Sequence, residues 1–162
     1  MALSKEQIAE ELPTLDAVPP GWEEVGTPRL DNTPGKDGSR AYGHKGYRAP
    51  DLDGAVGFGI TSYGNPAHAM ARFSKVKADY GSQTRPTSIA GADQAFARSG
   101  CIAERYCSAT IYVRAGSMVL MVNINSDTGE APDPKILNSV TRMHVARARQ
   151  IERGEAPTAK AS

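Results

Sequence analysis

Cys101 and Cys107 are the only two cysteines, and five residues separate them. A zinc or thioredoxin-type pair has two intervening residues, so this spacing suits a hairpin loop closed by its own bridge. A structural disulfide in an oxidising compartment is the first reading, and a pair of inert reduced thiols is the plainer one.

The histidines are His44, His68 and His144, and no two stand three or four residues apart. That spacing gives no helical pair of ligands, and no metal site is expected. His68 falls in the first turn of a helical segment and His144 in an apolar stripe, which predicts a solvated ring and a half-buried, hydrogen-bonded one. Ser62 lies in Gly59-Ile60-Thr61-Ser62-Tyr63-Gly64, where Ile60 occupies the place of the first glycine of a nucleophile elbow. The glycines of Gly57-Phe58-Gly59 sit inside a strand pattern and not at a strand-to-helix turn, which excludes a dinucleotide fingerprint. Asn123, Asn125 and Asp127, followed by Gly129 and Glu130, share only the alternation of a calcium loop, because the glycine comes one place late and two of the three ligands are neutral amides. A polar strand end turning through Asp127 to Gly129 accounts for them. No catalytic residue and no cofactor is expected, and the chain reads as a non-enzyme.

The remaining chemistry is that of contact. Val56, Phe58 and Ile60 alternate with Gly57, Gly59 and Thr61, so one face of this strand is apolar and the other nearly bare. Two glycines in a row on a sheet face leave room for something to lie against the backbone. Together with Tyr42, Tyr47 and Tyr63, Gly57 and Gly59 form the candidate ligand- or partner-binding set.

Elements must hold these residues in place. From Asp93 to Ile124 the pattern predicts three short strands: Ile111 and Val113 alternate with Thr110, Tyr112 and Arg114, and after Ala115-Gly116 the alternation resumes with Leu120, Val122 and Ile124. Ser39 to Arg48 reads as a weak strand broken by Gly43 and Gly46, and Ala55 to Ser62 as a clearer one. Thr27 to Gly38 is rich in turn formers and is expected as a surface loop. Ser4 with Gln7 has capping-box spacing ahead of Ile8 and Leu12, giving a short first helix stopped by Pro13. Asn65-Pro66 and Asp133-Pro134 each cap a longer amphipathic helix. The first carries Met70, Phe73, Val76 and Tyr80 and ends at Gly81; the second carries Leu137, Val140, His144, Ala148 and Ile151 and ends at Gly154. Trp22, the single tryptophan, is expected to plug the N-terminal arm onto the core.

The economical architecture is α+β: an antiparallel sheet of about five or six strands, with the two amphipathic helices packed on one face, and a short N-terminal helix. Residues 1–154 make one domain and residues 155–162 a disordered tail. At 162 residues the chain is long enough for a real core. Nineteen basic and eighteen acidic side chains leave a net charge of +1, and although Arg142, Arg147, Arg149 and Arg153 make the last helix basic, no wide basic surface with stacking aromatics accompanies them. Nucleic acid is not an expected partner, and the arginines read as a solvated helix face. No apolar run approaches a membrane span. Met1 is followed directly by Ala-Leu-Ser-Lys, without the apolar core of a leader, and a chain trimmed of its leader would start the same way.

Three fragments carry a resemblance. Leu15-Asp16-Ala17-Val18-Pro19-Pro20-Gly21-Trp22 resembles the opening segment of actinobacterial extracytoplasmic lipoproteins and related sensor domains. Gly91-Ala92-Asp93-Gln94-Ala95-Phe96 and the hairpin Thr110 to Val122 around Arg114-Ala115-Gly116-Ser117 are similar to the middle and late strands of the same proteins, above all the extracellular sensor domains of mycobacterial serine/threonine kinases. The resemblance implies a secreted or lipid-anchored α+β domain whose concave sheet meets a ligand or protein, with no catalytic residues to carry over. The chain departs from those relatives in having cysteines for one bridge where the kinase sensors carry two, and in lacking a lipidated cysteine at its start.

The expected function is therefore a non-enzymatic extracytoplasmic binding or sensor domain. It would be extracellular or in the cell envelope, contact a small-molecule ligand or an envelope or secreted protein, and touch a membrane only through an N-terminal anchor absent here. The alternative is a secreted protease inhibitor or regulator acting through exposed loops, Asp31 to Gly38 or Cys101 to Cys107. The bridge reading predicts that the folded, oxidised protein takes no iodoacetamide, and that after denaturation and reduction it takes two equivalents by intact mass. Labelling of both thiols before reduction would remove the bridge.

Overall fold

The computed structural model describes all residues, 1–162. Seven strands form one antiparallel sheet: β1 (Glu23–Asp31), β2 (Ser39–Ala49), β3 (Gly54–Tyr63), β4 (Arg85–Pro86), β5 (Gln94–Ile102), β6 (Tyr106–Ala115) and β7 (Met118–Ser126). Across the sheet they run β1-β2-β3-β7-β6-β5-β4, and every pairing is antiparallel. Three helices accompany them: α1 (Lys5–Glu11), α2 (Pro66–Tyr80) and α3 (Pro134–Glu152).

The caps form where the residue types place them. Ser4 and Gln7 complete a reciprocal capping box, the Asn65 side chain accepts from the His68 amide at 2.9 Å, and the Asp133 side chain accepts from the Lys135 amide at 2.8 Å. Cys101 and Cys107 face each other directly in the β5–β6 register and are bridged.

The sheet has two unlike faces. On the back, Val56, Phe58 and Ile60 of β3, Leu120, Val122 and Ile124 of β7, and Ile111 and Val113 of β6 pack in one cluster with Ile8 and Leu12 of α1 and with Leu137, Val140 and Ala148 of α3. A Cβ at position 43 would collide with Ile8, so Gly43 is what lets α1 close onto β2. On the front, α2 covers one end only: Ala69, Phe73 and Val76 meet Tyr63, Phe96 and Val119 in a second, smaller cluster.

Several expectations need correcting. The sheet has seven strands, not five or six, and α2 and α3 lie on opposite faces. The reason is that Phe96, Tyr112 and Val119 alternate onto the front and give α2 an apolar seat there, with Ala69 turned in and Met70 turned out. Glu23–Asp31 is an edge strand, so the surface loop begins only at Asn32. Its residues are almost all exposed and its register shifts between Val25 and Arg29, around Gly26 and Pro28, which erases the alternation a strand otherwise prints in sequence.

Residues 155–162 make hydrogen bonds back to the rest of the chain. The Ala161 amide donates to the Ala17 carbonyl at 2.8 Å, the Ser162 amide to Ser139 Oγ at 3.0 Å, and the Thr158 amide to Gln150 Oε1 at 3.0 Å. Arg147 is not solvated. Its guanidinium is buried and donates to the carbonyls of Glu10, Glu11 and Leu12 at the end of α1, and to that of Pro157. A cation there satisfies carbonyls left free at a helix C-terminus.

One turn earlier on α3, His144 is fully buried. A carbonyl can only accept, so Nε2 carries a hydrogen and donates to the Gly59 carbonyl at 3.0 Å. Nδ1 lies 2.8 Å from the equally buried carboxylate of Glu11, close but too bent for an aligned hydrogen bond, and that carboxylate has no other partner. Truncating one member of such a pair strands the other in an apolar interior. H144L is therefore expected to cost about 3–5 kcal/mol in urea unfolding at unchanged m-value, whereas the double variant E11L/H144L recovers most of that loss. A double variant as unstable as the single one would show that the two groups are not coupled.

Candidate functional site

The front of the sheet beyond α2 is open. Register fixes one row of side chains across it: Val25 on β1, Gly46 on β2, Gly57 on β3, Asn123 on β7, Thr110 on β6 and Arg98 on β5. Gly46 and Gly57 are direct cross-strand partners, so two neighbouring strands lack side chains at the same point and the floor sinks there. The result is a cleft of about 430 Å³, small but within the range of small-molecule sites, roughly 300–1,000 Å³.

Its lining is mixed: apolar Val25, Ala55 and Met121 stand beside polar and aromatic side chains. On one side stand Tyr80, the last residue of α2, and Tyr112, their hydroxyls 3.2 Å apart. The Arg98 guanidinium lies over the Tyr80 ring at 4.1 Å. On the floor, Asn123 Nδ2 donates to Thr110 Oγ1 at 2.6 Å, and the next row adds the cross-strand pair Ser108 and Asn125. His44 forms the remaining wall, its ring leaning over Gly57 so that a Cβ there would come within 2.9 Å of Nε2. No aspartate or glutamate lines the cleft.

Burial, followed by the charge of Arg29 and of His144, holds the His44 imidazole below its ordinary value of 6.5. Burial, reinforced by the bond to Tyr80, pushes the Tyr112 phenol above its ordinary range, so it stays a neutral donor. The hydroxyls of Tyr80 and Tyr112 bond to each other, and that of Thr110 accepts from Asn123. This arrangement is equipped to hold a ligand by hydrogen bonds, stacking and one fixed positive charge.

The residues singled out from sequence are dispersed. Gly57 forms the cleft floor. Gly59 is buried beneath Met121 and His44, and Tyr42 is half-buried farther along the same face. Tyr47 points to the back, fully buried, with its hydroxyl donating to the Pro13 carbonyl at 2.7 Å. The Tyr63 ring is buried in the α2 cluster, where burial and the nearby Asp37 charge push its phenol up to about 12. Strand parity alone separates Tyr47 from the front, since it stands five residues after Tyr42. Arg98, Ser108, Thr110 and Tyr112 carried no signal as a site, although the alternation through Thr110 and Tyr112 already placed those two on one face. Asn123 and Asn125 belong to the cleft.

No family model matches the chain, and no curated protein matches it in sequence. Among solved structures, its fold is similar to the extracellular domain of PknH from Mycobacterium tuberculosis, with a TM-score of 0.65 and 12% identity over 94% of this chain and 98% of that one. At that identity the likeness shows the fold. It agrees with the resemblance to kinase sensor domains and does not bear on lipid anchoring.

Because folding lowers the His44 value, the unfolded chain binds more protons below pH 6.5, and the fold loses stability as pH falls through that range while the contribution is intact above it. Urea midpoints at pH 7 and pH 5 should differ less in H44Q than in the parent protein. An imidazole NMR titration placing His44 at or above 6.5 would contradict the burial of this wall.

Proposed function

We propose that this chain is a non-catalytic extracytoplasmic binding or sensor domain whose ligand lies in the cleft over Gly46 and Gly57. The observation that carries the reading is the glycine pair itself: a sheet face emptied on two adjacent strands, ringed by hydrogen-bonding side chains. The fold shared with an extracellular domain and the cross-strand bridge both support a location outside the cytoplasm. Interior strands satisfy their own backbone, so a ligand on this face is read by side chains and not by strand addition.

A second reading, contact with an envelope or secreted protein or regulation of a protease, is favoured by the bridged hairpin tip. Ile102 is 76% exposed and Tyr106 is 43% exposed, and the two flank a turn that the disulfide holds.

The test uses the open floor. A Cβ at Gly46 meets nothing closer than 3.8 Å, so G46F fills the cleft without straining the backbone and should change stability by less than about 1 kcal/mol. In amide NMR maps against a fractionated culture-medium metabolite extract, the parent protein is expected to shift at Gly57, Thr110 and Asn123, and G46F is expected not to. Shifts confined to the Cys101–Cys107 hairpin would favour the second reading, and chemical turnover of an extract component would remove the first.

A further inference from the structure

We infer that the cleft takes a short saccharide carrying a single acidic group, a carboxylate or a phosphate, with that group toward Arg98 and its sugar ring on the floor formed by Gly46, Gly57 and Asn123. The inference rests on the binding reading above and adds the chemical class of the ligand.

Charge sets the first constraint. Arg98 has no carboxylate within ion-pairing distance, its one side-chain hydrogen bond is a long 3.4 Å contact to Gln83 Oε1, and no acidic residue lines the cleft. The guanidinium sits over the Tyr80 ring and most of its five N–H groups stay free, and a free guanidinium fork suits bidentate capture of a carboxylate or phosphate. One such cation and no phosphate-cradling loop match a single acidic group and not a polyphosphate.

The hydrogen-bond inventory sets the second. Thr110 and Asn123 are bonded to each other, which leaves the Thr110 O–H as a donor and both an amide N–H and the Oδ1 acceptor on Asn123. Ser108 and Asn125 repeat the hydroxyl-and-amide combination in the next row. Each ligand hydroxyl donates once and accepts, so these side-by-side donors and acceptors suit a polyol ring.

Distance sets the third. Arg98 is three strand spacings from Gly57, roughly 14 Å between backbones, and its side chain reaches back across part of that gap. One or two sugar rings fill the remainder within the cleft of about 430 Å³.

The experiment titrates the folded chain, followed by amide and arginine Nε NMR, with sodium D-glucuronate, D-glucose 1-phosphate, D-glucose and sodium acetate as separate probes. Glucuronate or glucose 1-phosphate is expected to bind about tenfold tighter than glucose or acetate, shifting Gly57, Thr110, Asn123 and the Arg98 Nε; the tighter of the two identifies which acidic group is preferred. R98M, which keeps the stem, should bring the acidic sugars down to the level of glucose and leave glucose itself unchanged. N123A should weaken all the sugars alike. Equal binding of glucose and both acidic sugars in the cleft would overturn the acidic-group inference and leave the binding reading standing. Acetate as tight as the sugars would overturn the saccharide. No saturable shift with any sugar overturns the inference, while the metabolite-extract mapping of parent protein and G46F still decides the binding reading independently.

Discussion

Two polar side chains one turn apart on α3 decide how the back of the molecule closes. His144 reaches the Gly59 carbonyl and the Glu11 carboxylate, while Arg147 gathers the last carbonyls of α1 and two from the C-terminal segment. A seven-residue helix is too short to persist in water by its own propensity. It is held because Ile8 and Leu12 are buried beside Gly43 and because its C-terminal carbonyls meet a buried guanidinium. The same guanidinium draws residues 157–159 inward, so both ends of the chain are secured by one residue of the last helix.

With the back closed in this way, the front is free to differ. Only one end of it carries a helix, because Phe96, Val119 and Tyr63 offer an apolar seat there and the glycines on β2 and β3 offer none. Where α2 stops, Tyr80 and Tyr112 become the margin of the cleft, and the Arg98 guanidinium sits over the Tyr80 ring. The strands under Gly46, Gly57, Asn123 and Thr110 are all interior, while the bulged edge strand β1 borders the cleft through Val25 and the two-residue β4 forms the other edge. Each of those edge strands carries a proline, which withholds a backbone donor and blunts pairing with other chains.

Much of this was legible beforehand where the signal is local. Ser4, Asn65 and Asp133 announced three helices through capping chemistry that needs only neighbours in sequence, and the alternation through Ile111, Val113, Leu120, Val122 and Ile124 gave the hairpin and its buried face. The cysteine spacing matched a cross-strand bridge because directly opposed residues of a tight hairpin are fixed by loop length. The edge strand β1 was illegible because exposure on both sides leaves no hydrophobic period to read. The hydrogen bonding of residues 155–162 was illegible because it depends on Gln150, Ser139 and Arg147, partners on a helix that closes before the segment begins.

By itself the sequence determined the α+β class, the three helix starts, the antiparallel hairpins and a glycine-bare strand face, all consequences of periodicity and capping over a few residues. The tertiary structure alone decided which helix covers which face, that Gly46 stands opposite Gly57, and that Arg98, Thr110 and Asn123 share one row. Those outcomes depend on inter-strand register, and register is set jointly by packing on the far side of the sheet, where Phe58, Leu120, Val122 and Ile111 must all reach the core together. No short window of residues contains that condition, so the cleft appears only once the whole layer is assembled.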